Sequence, residues 1–352
     1  MNKRPLIFLA YWILLFLFFE TTARIVLLHT PILNRNRVET DSWYRLDIIR
    51  DPDDQKHKWQ FSGCYGYDAL LGWKLKPNCT NAAMFPGLIV HTNAQGLRGI
   101  VDYNLIKSPD KKRIAIIGDS FTFGHDAGDD QTYPYILQQH LTQTEIMNFG
   151  VSGYGLDQIL LSLKQKVSLY KPDLVVLGFV YADDYRGLVS FRFGRSKPRY
   201  ELINGHLHLM NVPVPTMAKI RSDEFFKPKL LDLLSILYYK FLPPSYLKKQ
   251  RDQLTSATLD EMIRTVQDMG TDIVLVDIYT PLEMANLHQH EPKEGEKFFL
   301  NYCRKHKVPY ILTRPYFEKA INEGVTLTKN VHWDKVGNAI IAEAIKEYET
   351  QK

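Results

Sequence analysis

A short apolar run that ends in Gly-Asp-Ser most constrains what this chain can fold into. The run, residues 114–117, is rich in β-branched side chains, and Gly118, Asp119 and Ser120 follow it before a helical pattern begins. Such a run between turn residues is typical of a strand buried on both faces of a parallel sheet. Ligands of open parallel sheets bind beyond the carboxyl ends of the strands. Ser120 therefore stands where a nucleophile would be needed, although a capping serine at an ordinary turn fits the same pattern.

The same alternation of strand and helix continues to the end of the chain. Apolar runs predict strands at 114–117, 146–149, 174–180, 273–278 and 310–312. Helical periodicity predicts helices at 133–141, 156–170, 257–269, 295–305 and 335–348. Strands that alternate with helices predict βαβ units and therefore an α/β fold around a parallel sheet of five strands.

Residues 185–253 interrupt this alternation between the third and fourth predicted strands. A hairpin is predicted at 199–209, because Asn204-Gly205 favours a type I′ turn between two alternating runs. An apolar helix is predicted at 229–241, ahead of Pro243-Pro244. The insertion leaves the carboxyl edge of the sheet, so it forms either a lid or acceptor wall over the site or a satellite without substrate contact. The sequence leaves both readings open.

The N-terminus carries the pattern of an export signal. Lys3 and Arg4 precede an apolar run at 5–19, which is shorter than the roughly 20 residues of a spanning helix unless 25–28 extend it past Glu20. Cleavage after Ala23 is one alternative. We favour an uncleaved anchor with its positive end inside and the rest of the chain extracytoplasmic, in the periplasm. The expected domains are an anchor at 1–32, a polar lead-in at 33–110 and a catalytic domain at 111–352.

Composition argues against nucleic acid as a partner and leaves the cysteines undecided. The net charge is +5, from 44 basic and 39 acidic residues, and no basic run is interleaved with aromatic residues. Cys64 and Cys79 are close enough for a disulfide worth about 3 kcal/mol, or they are two free thiols of a reducing compartment. Cys303 falls in a helical pattern and is predicted to be a lone buried thiol.

No metal or other cofactor is predicted. His206 and His208 alternate beside the predicted turn, and His288 and His290 fall in a polar loop. Neither pair has cysteine or carboxylate partners at the spacing of a zinc site.

Four segments, taken in order, resemble the sequence blocks of the SGNH (GDSL-type) hydrolase superfamily. They are GDSFTFG at 118–124, NFGVSGYG at 148–155, VVLGFVYADDYRG at 175–187 and KNVHWDKVGNAIIAEAI at 329–345. Two lead-in segments, at 67–78 and 91–99, are similar to those of membrane-anchored bacterial members, so the resemblance extends over about 67–348. It implies a flavodoxin-like, three-layer α/β/α fold with a central parallel sheet of five strands.

The resemblance also implies the roles of single residues. Ser120 is the expected nucleophile, and the backbone N–H groups of Ser120 and Gly153 are the expected donors to the oxyanion. Asp183 stands where the family has an asparagine that completes the oxyanion hole. An ionised aspartate only accepts hydrogen bonds, so Asp183 has to be protonated, paired with a cation such as Arg186, or replaced by another donor.

The last block supplies the expected general base. His332 precedes a C-terminal amphipathic helix, as the family's catalytic histidine does. The family's orienting aspartate comes two or three residues earlier, where this chain has Asn330 and Lys329. Asn330 can still accept a hydrogen bond from the imidazole, although it cannot stabilise the imidazolium by charge. Asp334 is expected to lie within the start of that helix, where its charge is favourable to the N-terminal dipole.

Together these features predict a membrane-anchored serine esterase that acts on O-acyl esters, such as O-acetyl groups of cell-envelope carbohydrate. Two alternatives stay open. The acyl group is passed to a glycan hydroxyl instead of water, or the chain is a catalytically weak relative that binds carbohydrate.

Overall fold

The fold is that of a computed structural model, which describes residues 4–29, 40–51, 63–85, 88–284, 293–328 and 330–351. The helices are α1 (Arg4–His29), α2 (Asp41–Arg50), α3 (Ser120–Phe123), α4 (Tyr133–His140), α5 (Leu156–Gln165), α6 (Met217–Glu224), α7 (Lys229–Phe241), α8 (Pro244–Asp268), α9 (Pro281–Met284), α10 (Glu294–His306), α11 (Arg314–Asn322) and α12 (Lys335–Thr350). The strands are β1 (Tyr65–Asp68), β2 (Gly72–Leu75), β3 (Thr80–Phe85), β4 (Leu88–His91), β5 (Lys112–Ile117), β6 (Thr144–Asn148), β7 (Leu174–Phe179), β8 (Phe191–Arg192), β9 (Arg195–Ser196), β10 (Arg199–Ile203), β11 (His206–Met210), β12 (Asp272–Asp277) and β13 (Tyr310–Leu312).

Five strands form one parallel sheet in the order β13–β12–β7–β5–β6. The predicted α/β fold with five parallel strands is confirmed, and the predicted strand ends differ from the observed ones by two residues at most. Because β5 lies between β6 and β7, the segments that follow these three strands meet at one edge of the sheet. Those segments contain Ser120, Gly153 and Asp183.

Helices cover both faces of the sheet because successive strand residues point to opposite sides. Ala115 and Ile117 belong to one buried cluster with side chains of α5, α8 and α10. Ile114 and Ile116 belong to the opposite cluster with side chains of α4, α11 and α12. The result is the expected three-layer α/β/α arrangement.

The insertion between β7 and β12 contains β8–β11 and α6–α8. The predicted hairpin and helix are both present, and Asn204 and Gly205 have the positive φ angles of 51° and 80° that a type I′ turn requires. The predicted helix at 257–269 is the second half of the much longer α8. Pro244 starts that helix instead of only ending α7, because a proline in the first turn loses no hydrogen bond.

Several elements were not predicted from the sequence, and two of them are informative. Helix α11 was not predicted, and α2 lies in the segment expected to be a polar linker. Helix α2 forms because Trp43, Leu46 and other apolar residues among its charged ones are buried against the insertion, and Thr40 caps it. Cys64 and Cys79 form a disulfide with Cα atoms 5.5 Å apart, whereas Cys303 is a buried free thiol as predicted.

Helix α1 is long and apolar enough to cross a membrane, with a mean hydropathy of 2.0 over its most apolar part. Most of its side chains up to Phe19 are exposed, whereas Glu20, Ala23 and Leu27 are buried against the folded domain. One end of α1 is therefore part of the tertiary structure.

Candidate active site

Ser120 lies directly beyond β5, at the carboxyl edge of the sheet. The strand ends at Ile117, and Asp119 caps α3 by accepting a hydrogen bond from the backbone N–H of Phe121 at 3.0 Å. Ser120 is the first residue of α3, and it is 4% exposed. The strand, the turn and the short helix thus fix the direction of the serine side chain.

Helix α3 approaches the sheet closely because glycines stand where it touches the neighbouring segments. A Cβ on Gly118 would lie 2.0 Å from Thr122 Oγ1, and one on Gly178 would lie 2.5 Å from the same atom. A Cβ on Gly150 would lie 2.3 Å from the backbone nitrogen of Phe123. Distances below 3 Å leave no room for a side chain, so these glycines are required for the position of Ser120.

His332 reaches Ser120 from the far end of the chain. Its Nε2 lies 2.9 Å from Ser120 Oγ, and its ring packs on Phe121 with centroids 4.8 Å apart. The next residue, Trp333, is buried and donates a hydrogen bond to the backbone carbonyl of Tyr279 at 2.7 Å. Asp334 is the N-cap of α12, one residue before the helix begins. The structure therefore brings Ser120 and His332 together.

Burial sets the charge of His332. Desolvation lowers its pKa to about 4, while the charge of Asp183 opposes this shift and that of Arg186 adds to it. The imidazole is consequently neutral at pH 7, with a lone pair free to accept a proton.

The carboxylate beside the other nitrogen of His332 belongs to Asp126, which the sequence analysis did not single out. Asp126 Oδ2 lies 4.0 Å from His332 Nδ1, and the Asp126 carboxylate accepts a hydrogen bond from the His332 backbone. Burial raises the pKa of Asp126, and that hydrogen bond lowers it. Its φ of 63° holds it in a left-handed turn just after α3. No local pattern marks Asp126 as a partner of His332, because only the fold connects the two segments.

Asn330 lies elsewhere. Its residue is exposed, and its backbone N–H donates to Thr328 Oγ1 at 3.2 Å. Within the described residues, no contact joins Asn330 to the ring of His332.

His125 is a second residue that the sequence analysis missed. Its ring centroid lies 4.5 Å from that of His332, and its Nδ1 lies 3.1 Å from Ser152 Oγ. Burial, and next the neighbouring His332, keep the pKa of His125 well below its ordinary value. His125 is therefore a neutral ring that packs against the candidate base.

Gly153 lies in the loop after β6, at the same edge of the sheet as Ser120. Its φ of 82° is left-handed, and a Cβ there would lie 3.0 Å from the ring of Phe193. The loop is held by Trp73, whose indole N–H donates to the Ser152 carbonyl at 3.2 Å. In the described part of the chain, the backbone N–H groups of Ser120 and Gly153 donate no hydrogen bond within the protein. Both remain available to a ligand oxygen.

Asp183, in the 3₁₀ segment that follows β7, is paired with a buried arginine. Arg186 Nη2 lies 2.7 Å from Asp183 Oδ1, and Arg186 Nη1 lies 3.3 Å from Asp119 Oδ2. The two carboxyl groups also hydrogen bond to each other. Burial, followed by the charge of Asp183, raises the pKa of Asp119 well above its ordinary value, although Arg186 opposes this. The raised pKa of Asp119 therefore favours its protonated form beside Asp183 and Arg186.

One group of three side chains in the described ranges could offer ligand atoms to a metal. Atoms of His125, Asp126 and His332 lie within 4.8 Å of one another. However, the two imidazole rings are packed with a tilt of 43°. Imidazole lone pairs lie in the ring plane, so these rings would have to turn before both could bind one ion.

The histidine pairs considered in the sequence lie away from this group or cannot be placed. His206 and His208 are exposed on β11 of the hairpin. His288 and His290 lie outside the described residues.

A groove of about 900 Å³ lies on the insertion. Its lining includes three tyrosines and several charged side chains from α2, α8 and the hairpin, namely Tyr185, Tyr200, Tyr239, Asp41, Arg199, Glu201, Lys248 and Arg251. Tyr185 follows Asp183 by two residues, so the groove begins close in sequence to the candidate site.

Known proteins resemble the chain mainly in fold. A lipolytic protein of the G-D-S-L family from Veillonella parvula is 12% identical, with a TM-score of 0.41 over 68% of this chain and 100% of its own. A GDSL-like lipase from Bacteroides thetaiotaomicron is 16% identical, with a TM-score of 0.39 over 70% and 91%. A two-domain esterase active on acetylated mannans is 11% identical, with a TM-score of 0.40 over 68% and 49%. No curated protein matches the sequence.

The sequence itself matches a family profile over a longer stretch. Residues 116–340 match the profile of the GDSL-like Lipase/Acylhydrolase family. This range is more than half of the 352 residues and extends from β5 into α12. The chain therefore belongs to the GDSL-like lipase/acylhydrolase family and is an esterase of that family.

Proposed function

We propose that this esterase is anchored by α1 at the outer face of a membrane, where it removes O-acyl groups from cell-envelope carbohydrate, with O-acetyl esters as the substrate class. One observation carries the chemical part of the proposal. Ser120 Oγ and His332 Nε2 lie 2.9 Å apart at the carboxyl edge of the sheet, where ligands of this fold bind.

The reaction proceeds in two halves. His332 Nε2 accepts the Ser120 hydroxyl proton while Ser120 Oγ bonds to the ester carbonyl carbon. The bond between the acyl carbon and the sugar oxygen then breaks, and His332 gives its proton to that oxygen, which departs as a hydroxyl group. In the second half, His332 takes a proton from water, whose oxygen attacks the acyl carbon. Ser120 leaves with that proton, and the acid is released.

Asp126 is the positioning residue for His332 in this proposal. A separation of 4.0 Å is too long for a hydrogen bond, but catalytic hydrogen bonds often shorten when substrate binds. The bond between the His332 backbone and the Asp126 carboxylate already holds the two together. An ionised Asp126 would stabilise the imidazolium that forms in each half-reaction. Asn330, whose place in the sequence implied this role, is exposed instead.

Backbone N–H groups of Ser120 and Gly153 hold the oxyanion. Removing one such donor typically costs about 3–4 kcal/mol of transition-state stabilisation. Arg186 supplies the cation beside the third position, because its Nη2 lies 2.7 Å from Asp183 Oδ1 and offsets the negative charge that would repel the oxyanion.

The docked end of α1 supports an anchor over a cleaved signal. Ala23 is fully buried inside the helix, and Leu27 packs in the same cluster as α2 and α7. Cleavage after Ala23 would remove Glu20 and Ala23 from their packing. The disulfide between Cys64 and Cys79 supports an oxidising compartment, such as the periplasm.

The lining of the groove on the insertion supports a carbohydrate substrate. Tyrosine rings provide flat apolar surfaces with a polar edge, and charged side chains such as Arg199 and Lys248 offer hydrogen bonds to hydroxyl groups.

The proposal is tested with the full-length chain in detergent. A fluorophosphonate probe should add one adduct to the wild-type protein, detected by intact mass, and none to Ser120→Ala or His332→Ala. Acetate release should then be measured from acetylated polysaccharide and from a small aryl acetate. The Cys303→Ser variant is a matched control, because its side chain is remote in sequence and buried in the core.

The outcomes separate the alternatives. Acetyl groups that reappear on an added glycan, with little free acetate, would make the protein an acyltransferase. A folded wild-type protein that takes no adduct contradicts the nucleophile, and sugar-dependent thermal stabilisation of that protein would identify it as a binding relative.

A further inference from the structure

The junction between α1 and the insertion is built by Glu20. One oxygen of its carboxylate accepts a hydrogen bond from the backbone N–H of Lys229 and the other from that of Leu230, both at 2.9 Å. These two N–H groups belong to the first turn of α7 and have no acceptor within the helix, and the residue before α7 provides no side-chain cap. Arg24 pairs with Glu20 at 2.8 Å and reaches the Lys227 carbonyl at 3.4 Å. The start of α7 is therefore fixed at the level of Glu20 along α1.

Helix α7 buries charged side chains beside Ile236 and exposes several apolar ones, which is unusual for a helix on a water-soluble surface. Lys229 and Asp232 are 1% and 4% exposed and lie in a buried ionic cluster with Arg45 and Glu224. On the outward side, Leu231 and Leu234 are 62% and 53% exposed. A helix in water normally buries its apolar side and exposes its charges.

The turn that precedes α7 continues this apolar surface. Phe225 and Phe226 are 76% and 82% exposed, and they lie next to the Lys227 carbonyl that Arg24 contacts. We call Phe225, Phe226, Leu231 and Leu234 the apolar rim.

The length of α1 decides the depth of the rim. The exposed apolar stretch from Leu6 to Phe19 spans about 21 Å at 1.5 Å per residue, whereas the hydrocarbon core of a bilayer is about 30 Å thick. The difference between these two lengths corresponds to the segment from Glu20 to Ile25, which would have to supply the rest of the span. Glu20 and Arg24 are neutralised by each other and by the start of α7, so this segment can enter the boundary of the bilayer. The apolar rim stands at the same level.

The geometry points to a lipid bilayer as the partner of the apolar rim: the insertion docks on the outer leaflet of the membrane that α1 crosses, beside α1. This inference rests on the anchor in the proposed function. Charged side chains of the buried cluster face the protein, and the phenylalanines and leucines enter the boundary between headgroups and acyl chains. Docking at two places, α1 and the rim, fixes the orientation of the catalytic domain relative to the membrane.

Spin labels on single cysteines test the docking. The full-length chain, in a Cys303→Ala background with the disulfide intact, is reconstituted into vesicles of phosphatidylcholine and phosphatidylglycerol. Labels are placed at Phe226→Cys in the rim, at Phe8→Cys in α1 and at Ile106→Cys. Ile106 is a matched control, because it is 88% exposed and lies in the segment before β5, at the opposite edge of the sheet. Collision with oxygen, which concentrates in lipid, is compared with collision with a water-soluble nickel complex.

We expect oxygen to dominate at positions 8 and 226 and nickel to dominate at position 106. A label at 226 that behaves like the one at 106, while position 8 stays in lipid, overturns the docking and leaves the anchor intact. A label at 226 that neither reagent reaches means that a second protein surface covers the rim, which also overturns it. Nickel access at position 8 overturns the anchor and the docking together.

Discussion

Replacing Asp126 by asparagine isolates the charge that we assign to the partner of His332. The substitution keeps the size of the side chain and its capacity to accept the hydrogen bond from the His332 backbone. What it removes is the negative charge 4.0 Å from His332 Nδ1. The ground state, with a neutral imidazole, is then little changed, whereas the transition state with an imidazolium loses a counter-charge.

The distance sets the size of the effect. Two unit charges 4 Å apart attract by about 4 kcal/mol at an effective dielectric constant of 20, and by about 1 kcal/mol in water. The Asp126 side chain is 29% exposed, so its interaction falls between these limits. At about 1.4 kcal/mol per factor of ten, kcat/KM should fall by between about 5-fold and about 1,000-fold. The loss should appear in kcat, with KM nearly unchanged, because Asp126 acts through His332 and not on the substrate.

The assay is steady-state hydrolysis of an aryl acetate, with the rate of fluorophosphonate labelling as a second measure of nucleophile activation. Asn330→Ala is the matched control, and it should change kcat/KM by less than about 2-fold, since an exposed side chain without contact to the ring contributes little. The reasoning is refuted if Asp126→Asn is as active as wild type while Asn330→Ala is impaired. Thermal unfolding of both variants shows whether either effect is structural.

Four further results follow from the structure. Burial lowers the pKa of His332 to about 4. We therefore expect kcat/KM to stay level from pH 7 to about pH 5 and to fall below that with an apparent pKa near 4. A midpoint near 6.5 in the pH–rate profile would show that the base is not buried. The free energy of unfolding should also decrease as the pH falls from 7 to 5, because His332 binds a proton in the unfolded chain at a higher pH than in the folded protein. Denaturant titrations at pH 7 and pH 5 measure this decrease. Lys197→Met should lower the free energy of unfolding by about 3–5 kcal/mol, because the buried ammonium pairs with a carboxylate and three carbonyl groups; a melting temperature equal to that of wild type would contradict this. Gly150→Ala should destabilise by about 1–3 kcal/mol and lower kcat, since its Cβ meets the backbone of α3, whereas Gly187→Ala, whose Cβ has an ordinary contact at 3.7 Å, should do neither.

The sequence determined the sheet and the place of the nucleophile. Five apolar runs between turn residues specify five buried strands, because a strand that is buried on both faces needs apolar side chains at nearly every position. Gly-Asp-Ser after the first of these runs places Ser120 at the carboxyl edge without any knowledge of the other strands. Asn204-Gly205 specified its hairpin for the same local reason.

The sequence failed where a helix depends on its neighbours. Helix α2 looks like part of a polar lead-in because charged residues are interspersed among its apolar ones, and the apolar ones gain a partner only when the insertion packs against them. The first half of α8 is also polar. In the sequence, Pro244 predicts only the end of α7, whereas in the structure it is the first residue of α8.

Only the tertiary structure decided which groups surround the catalytic pair and which surface the chain turns outward. Asp126 lies beside His332 because β5 and the segment before α12 end at the same edge of the sheet. The sequence spacing before His332 had instead pointed to Asn330, which is exposed. Asp183 pairs locally with Arg186, three residues along the same 3₁₀ segment, whereas only the fold brings Asp119 to the same arginine from the turn after β5. The sequence of α7 shows only an apolar helix, and its contacts with α1 and the buried ionic cluster decide that Leu231 and Leu234 face out. Periodicity along a chain fixes which residues share a face, but the direction of that face is set by packing between distant segments.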